Sequence, residues 1–158
     1  MTRREIAVAS WGVLGVLLVL GESVARLTRV AVARIAEGLA PHEWAALAAA
    51  MVVMGYVEGY RTFARSFGPS VVARAFALGR APAPLHVLCA PLYAMSLVGD
   101  TRARVARSWA VVAGVVAAVL VVRRLPPTWR SIVDASVALS LTWGIVVIVV
   151  LWARRLFR

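Results

Sequence analysis

The chain consists of long apolar stretches separated by short segments rich in arginine. Five apolar stretches stand out, at about residues 6–24, 43–57, 86–98, 106–122 and 132–153. A transmembrane α-helix needs about 20 predominantly apolar residues. The pattern therefore predicts an all-α, polytopic bundle of transmembrane helices, and residues 1–158 leave room for a single integral membrane domain.

The third apolar stretch differs from the other four. It is short, Pro82 and Pro84 precede it, and Pro91 lies in its middle. Proline removes a helical hydrogen bond and clashes with the preceding turn, and irregular backbone at membrane depth is tolerated where protein surrounds it. We expect a re-entrant segment or a fifth span here, beside four full spans.

Arginine supplies all 18 basic residues, and its distribution bears on the number of spans. Five spans would place nine arginines on each side of the membrane, whereas four spans place twelve with the two termini and six opposite. Positive charge is retained on the cytoplasmic side. The sequence thus favours four spans with cytoplasmic termini, which we assign to a bacterial inner membrane.

The first apolar stretch also has the outline of a signal peptide. Arg3 and Arg4 precede it, and the small residues at 23–25 resemble a cleavage site. Because further apolar stretches follow without a break in the pattern, we expect an uncleaved first span.

Two connecting segments carry arginine at helical intervals among apolar residues, at about 26–37 and 61–78. Such amphipathic helices lie along the membrane interface. We expect both segments to do so, with Gly68 and Pro69 dividing the second one.

Composition narrows the class of partner. Hydrophobic residues make up 62% of the chain, its mean hydropathy is +0.85, and its formal net charge is +11. The arginines lie between apolar stretches instead of forming a soluble basic face, so anionic lipid is a better partner than nucleic acid. Cys89, His42 and His86 are one ligand short of a structural zinc site, and we predict no metal or cofactor.

Acidic residues near the ends of apolar stretches are the candidates for a polar cavity or ligand site. Glu22 shares a helix face with Arg26 and Arg29, and Glu58 shares one with Arg61 and Arg65. Each group either neutralises itself or lines a cavity that holds an anionic group. Asp134, four residues after Arg130, complements the start of the last helix or takes part in a proton- or cation-linked role.

Small residues recur every four positions in the last two spans. The two sets are Ala110, Gly114 and Ala118, and Ser136, Ser140 and Gly144. This spacing lets helices approach closely in lipid. We expect the two spans to pack together or against a second protomer.

Three functional classes remain. The first is a non-catalytic accessory or assembly subunit, as a homo-oligomer or in a complex with other membrane proteins; small size, small-residue helix faces and basic edges favour it. The second is an oligomeric transporter or channel for a small anionic or proton-coupled solute, lined by the three acids. The third is a membrane enzyme acting on a lipid-like substrate, with Glu58, Asp134 or His86 as acid–base groups, although no catalytic arrangement is evident.

Overall fold

A computed structural model describes residues 2–80 and 84–157, so Pro82 lies outside the described residues. Helices make up 88% of the structure, and the described ranges contain no strand. The elements are α1 (Arg3–Ala36), α2 (Pro41–Met54), a π-helix (Gly55–Phe67), α3 (Gly68–Arg80), α4 (Pro84–Leu88), α5 (Ala90–Ala94), α6 (Arg102–Val122) and α7 (Pro127–Leu156). The predicted all-α class is confirmed.

Three of these helices are long and apolar enough to cross a membrane. They are α1, α6 and α7, with 34, 21 and 30 residues and mean hydropathies of 1.8, 2.2 and 2.2 over their most apolar windows. A membrane core about 30 Å thick is spanned by about 20 helical residues. The structure is therefore that of a helical bundle suited to a membrane.

The second apolar stretch belongs to a longer helical rod. Gly55 and Gly68, at the two junctions, both have right-handed helical dihedrals, so α2, the π-helix and α3 run on without a break. The N–H of Gly68 donates to the carbonyl of Phe63, five residues back, which is the π-type hydrogen bond. We call residues 41–80 the central rod.

Neither of the two segments predicted to lie along the membrane interface forms a helix of its own. Residues 26–36 continue α1, whose hydrogen-bonded ladder runs unbroken from Arg3 to Ala36. Residues 61–78 lie within the central rod, and its α3 part is buried against other helices. In residues 61–78 an apolar face that includes Val72 and Phe76 packs inside the bundle, whereas residues 26–36 are largely exposed and Ala31 is the buried residue among them.

The long helices alternate in direction. Arg34, near the end of α1, donates a hydrogen bond of 2.9 Å to the hydroxyl of Thr128 at the start of α7, so α1 and α7 are antiparallel. The central rod runs parallel to α7, because Glu58 lies beside Ser140 and Gly68 lies beside Ile148. Both chain termini consequently lie at one end of the bundle, which we call the terminal end.

The buried core lies towards the terminal end. It is formed by α1, α3 and α7, with a contribution from α5, through Ala9, Val13, Val16, Leu20, Val71, Val72, Ala75, Phe76, Ala94 and Ile148. Helix α3 approaches α1 very closely at Gly79, where an added Cβ would lie 2.5 Å from the carbonyl oxygen of Glu5. Only glycine permits this crossing.

The proline-rich segment folds back onto α1. Ala90 and Pro91 of α5 lie against Gly12 and Gly15, in the N-terminal half of α1. Cys89 separates α4 from α5, and each of these helices has five residues. Positive φ angles at Ser96 (61°) and Gly99 (70°) then turn the chain towards α6.

Helix α6 stands apart from the bundle. Its start follows Asp100, which is bonded to α3, and its end leads through a short turn into α7. None of its 21 residues is buried, and no neighbouring helix of the described chain packs along it. The expectation that α6 packs along α7 within one chain is therefore wrong.

Candidate functional site

The first predicted polar group, on α1, is exposed and unpaired. Glu22, Arg26 and Arg29 are all exposed, and no ion pair joins them in the structure. Arg29 instead donates from Nε to the carbonyl of Ala25 at 3.2 Å. The guanidinium groups remain available to a ligand or lipid outside the bundle.

The second predicted group separates into an inward acid and two outward cations. The carboxylate of Glu58 accepts a hydrogen bond of 3.1 Å from Ser140 of α7, whose side chain is fully buried. Arg61 and Arg65 are exposed, and the guanidinium of Arg65 lies 5.2 Å from the ring centre of Tyr60. The expected pairing of Glu58 with its own arginines does not form.

Asp134 lies in the interior, near the start of α7. It is 7% exposed, and its carboxylate oxygen is 3.6 Å from Nε of Arg130, one helical turn earlier. This distance allows electrostatic attraction and is too long for a good hydrogen bond. Because α7 begins at Pro127, Asp134 lies beyond the first turn, so the prediction that it complements the start of this helix is wrong.

The three acids do not line one cavity. Asp134 precedes Ser140, the partner of Glu58, by six residues, which is about 9 Å along α7 and on a different face of that helix. Glu22 is exposed on α1. An open groove of about 730 Å³ does lie between α1 and α7, and Arg29 is the one charged residue among Gly21, Val24, Ala25, Thr28, Arg29, Val32, Ala33, Thr142 and Ile145 that line it.

A buried ion pair that was not among the sequence-based candidates fixes the segment before α6. Arg74 of α3 binds the carboxylate of Asp100 and donates from Nε to the carbonyl of Tyr93 at 2.8 Å. Its guanidinium also lies 4.6 Å from the centre of the Tyr93 ring. The side chains of Arg74 and Asp100 are 16% and 7% exposed.

Electrostatics favours the ionised form of Asp100. The hydrogen bond from the backbone N–H of Thr101 is the largest influence that lowers the pKa of this carboxyl, and the charges of Arg74 and Arg104 act in the same direction. Burial opposes them. One sequence signal pointed to this residue, since Asp100 is the only acid between Glu58 and Asp134, in a stretch containing ten arginines.

His86 and Cys89 have structural surroundings. The His86 ring lies 5.1 Å from the Tyr93 ring, and Cys89 is a half-buried free thiol. Gly99 passes close to both rings, where an added Cβ would lie 3.0 Å from Nε2 of His86. In residues 2–80 and 84–157 no three His, Cys, Asp or Glu side chains are grouped to hold a metal ion.

The two sets of small residues occupy different environments. Ser136, Ser140 and Gly144 are buried in α7, and an added Cβ on Gly144 would lie 2.6 Å from the ring of Phe63 in the central rod. Ala110, Gly114 and Ala118 are exposed on α6, and an added Cβ on Gly114 would meet no atom within 4 Å. The small-residue face of α7 is therefore covered by other helices of this chain, whereas the small-residue face of α6 is exposed.

Comparisons with protein-family models, with curated proteins and with solved structures find no match to this chain.

Proposed function

We propose that the protein is a non-catalytic accessory subunit of a membrane complex and that it binds another membrane protein through α6. The main support for this proposal is that α6, although apolar and 21 residues long, has no buried residue. Helices in lipid associate through close van der Waals packing. A helix with an open small-residue face is suited to packing against a separate protein.

The proposed topology has four crossings and a short re-entrant segment. The central rod supplies the fourth crossing, since its 40 residues run parallel to α7 and return the chain to the terminal end. Residues 84–98 descend beside the first half of α1 and turn back at Ser96 and Gly99. With the termini cytoplasmic, as positive charge favours, the chain would lie in a bacterial inner membrane.

Anionic lipids are the proposed secondary partners. The groove between α1 and α7 has a mainly apolar lining that suits an acyl chain, with Arg29 at its edge to meet a phosphate. Arg26 is exposed on the same part of α1. Lipids bound here would stabilise the bundle without taking part in any reaction.

Site-specific photo-crosslinking in native membranes tests the accessory role. A benzophenone amino acid replacing Ala118, on the open face of α6, should yield a covalent adduct with another membrane protein. The same probe at Val112, on the half-buried face, is the matched control and should react less. Adducts with lipid alone at both positions would contradict the proposal.

An oligomeric transporter is a second candidate, favoured by Glu58. This acid lies beside Ser140, near the middle of α7, and is joined to no arginine in the structure. Ionisable groups at membrane depth often mark ion or proton pathways. Purified protein in liposomes should then conduct a small anion or protons, with the flux reduced in Glu58→Gln; absence of flux in both proteins would exclude this candidate.

A further inference from the structure

We infer that the π-helix of the central rod is a conformational switch with two registers. In the π register, which the structure shows, the carboxylate of Glu58 lies at Ser140 of α7; in an α register it leaves Ser140 and pairs with Arg61. The switch is independent of the role proposed for α6. Three observations support it: the spacing of the rod's contacts, the placement of its charges, and the unequal burial of its two ends.

The contacts between the π-helix and α7 follow two different spacings. Along α7 they recur every four residues, whereas along the rod they recur every five. The i→i+5 hydrogen bonds of a π-helix bring residues five apart onto one face, as i→i+4 bonds do for residues four apart in an α-helix. The matched pairs are Glu58 with Ser140, Phe63 with Gly144, and Gly68 with Ile148.

The outer face of the π-helix repeats the five-residue spacing. The hydroxyl of Thr62 donates to the carbonyl of Val57 at 3.0 Å, and the guanidinium of Arg65 lies over the ring of Tyr60. In an α-helix, residues five apart differ by about 140° in direction. Both contacts therefore favour the π register, and the segment is wound as one unit.

An α register would present different residues to α7. Counted back from Gly68 by four, seven and eleven positions, the face towards α7 would carry Ala64, Arg61 and Val57. Glu58, three residues before Arg61, would then have the spacing at which oppositely charged side chains pair on an α-helix. The π register separates these charges, because Glu58 faces α7 whereas Arg61 is exposed. The switch thus exchanges an unpaired carboxylate at α7 for a neutral pair.

The two ends of the rod are held with different strength. Seven residues of α3 are buried, including Gly79 at the close crossing with α1, whereas α2 buries Leu47 alone. Residues 45–54 of α2 are apolar on every side. An apolar helix can turn about its axis in lipid without exposing a polar group. A change of winding would therefore leave α3 in place and rotate α2.

The contact with α7 supports the π register. A π-helix is rare and occurs mostly as a single turn, whereas this one has 13 residues. The ring of Phe63 fills the space beside Gly144, where an added Cβ would lie 2.6 Å from it, and Ser140 donates to Glu58 at 3.1 Å. Weakening either contact should shift the segment towards the α register.

The test follows a trifluoromethyl probe by fluorine NMR on the full-length protein in phosphatidylcholine nanodiscs. The probe is attached at Val57→Cys in a Cys89→Ser background, because Val57 is 45% exposed in the π register and would face α7 in the α register. Dissolved oxygen shifts the resonance of an exposed probe more than that of a covered one. Ser66→Cys carries the control probe, since Ser66 is exposed and would point away from α7 in the α register too.

Three substitutions should change the state of the probe at residue 57 in stated directions. Gly144→Ala pushes away the aromatic ring beside it and should make the covered resonance the larger one. Ser140→Ala removes one hydrogen bond and should raise the ratio of covered to exposed probe about fivefold. Glu58→Gln keeps an acceptor for Ser140 and loses the attraction to Arg61, so it should lower that ratio.

Ser136→Ala is the matched control on α7. Ser136 is as buried as Ser140, and its hydroxyl donates to the carbonyl of Val133 and not to the rod. The ratio of covered to exposed probe should therefore stay unchanged in this variant.

Three results would overturn the switch. If the probe at residue 57 stays exposed in both Gly144→Ala and Ser140→Ala, the segment has a single register. If Ser136→Ala acts like Ser140→Ala, the contact with Glu58 does not set the winding. If the probe at residue 66 becomes covered as well, the rod moves as a whole. Should Gly144→Ala lose its helical circular dichroism, the opposite shifts expected for Ser140→Ala and Glu58→Gln still decide the question.

Discussion

Replacing Gly79 by alanine tests the close crossing of α1 and α3. The new Cβ would lie 2.5 Å from the carbonyl oxygen of Glu5 and 3.3 Å from its carbonyl carbon. Neither atom belongs to a flexible side chain, so the helices themselves must separate by about 1 Å to restore normal contact. Alanine here should therefore destabilise the bundle, although it is the better helix former.

The magnitude follows from the packing that the separation disturbs. A gap of about 0.5–1 Å removes a quarter to a half of the dispersion attraction between the atoms on its two sides. Ala75 and Phe76, one turn before Gly79, are both buried against the core. Overpacking of this kind costs about 1–3 kcal/mol, and the improved helix propensity of alanine offsets up to about 1 kcal/mol.

The assay is thermal unfolding in detergent, followed by helical circular dichroism, with Gly114→Ala as the matched control. The control adds the same methyl group to a helix where nothing lies within 4 Å. Its melting temperature should stay the same or rise, whereas that of Gly79→Ala should fall by several degrees, at about 2–4 °C per kcal/mol. If the two variants melt together, the α1–α3 crossing is wider than described.

Three further predictions concern the segment before α6 and the topology. Arg74→Gln should lower the melting temperature and speed tryptic cleavage at Arg102, since Asp100 and the Tyr93 carbonyl lose their shared donor; Arg80→Gln, at an exposed site, should do neither. Because the folded protein holds the pKa of Asp100 below its ordinary value, this carboxylate contributes stability at pH values above that ordinary pKa and loses it as the pH falls through the lower pKa of the folded state; the acid-induced loss should be smaller in Asp100→Asn. Reporter fusions after Thr101 and at the C-terminus should report the same, cytoplasmic side; opposite sides, or an external C-terminus, would exclude four crossings with cytoplasmic termini.

The helical class was predictable because apolar stretches and membrane thickness together determine it. Helices α6 and α7 begin and end close to the limits of their apolar stretches, at short proline- or arginine-containing turns. The central rod was not predictable in the same way. Gly68 and Pro69 resemble a break, yet helical dihedrals continue through Gly68, and burial of Val71 and Val72 against the bundle supports the chain there.

For the polar residues, too, contacts between near neighbours in the sequence could be predicted and contacts between distant residues could not. The spacing of Arg130 and Asp134 sufficed to predict their proximity, because four residues make one helical turn. Glu58 has the same kind of spacing to Arg61, but its carboxylate accepts a hydrogen bond from Ser140 of α7 and does not pair with Arg61. The pairing of Arg74 with Asp100 joins residues 26 positions apart, and helical periodicity carries no information about it.

The lengths of the helices determine how the protein can sit in a bilayer. At about 1.5 Å per residue, α6 is about 30 Å long and matches the hydrocarbon thickness, whereas α1, α7 and the central rod measure about 50, 45 and 60 Å. The excess has to be taken up by tilt or by projection into water. Helix α6, with Arg102 at its start and Arg123 directly after its end, is the one of these helices whose length matches the hydrocarbon thickness of a bilayer. A partner with a thicker or thinner hydrophobic belt would tilt the whole bundle by engaging this single helix.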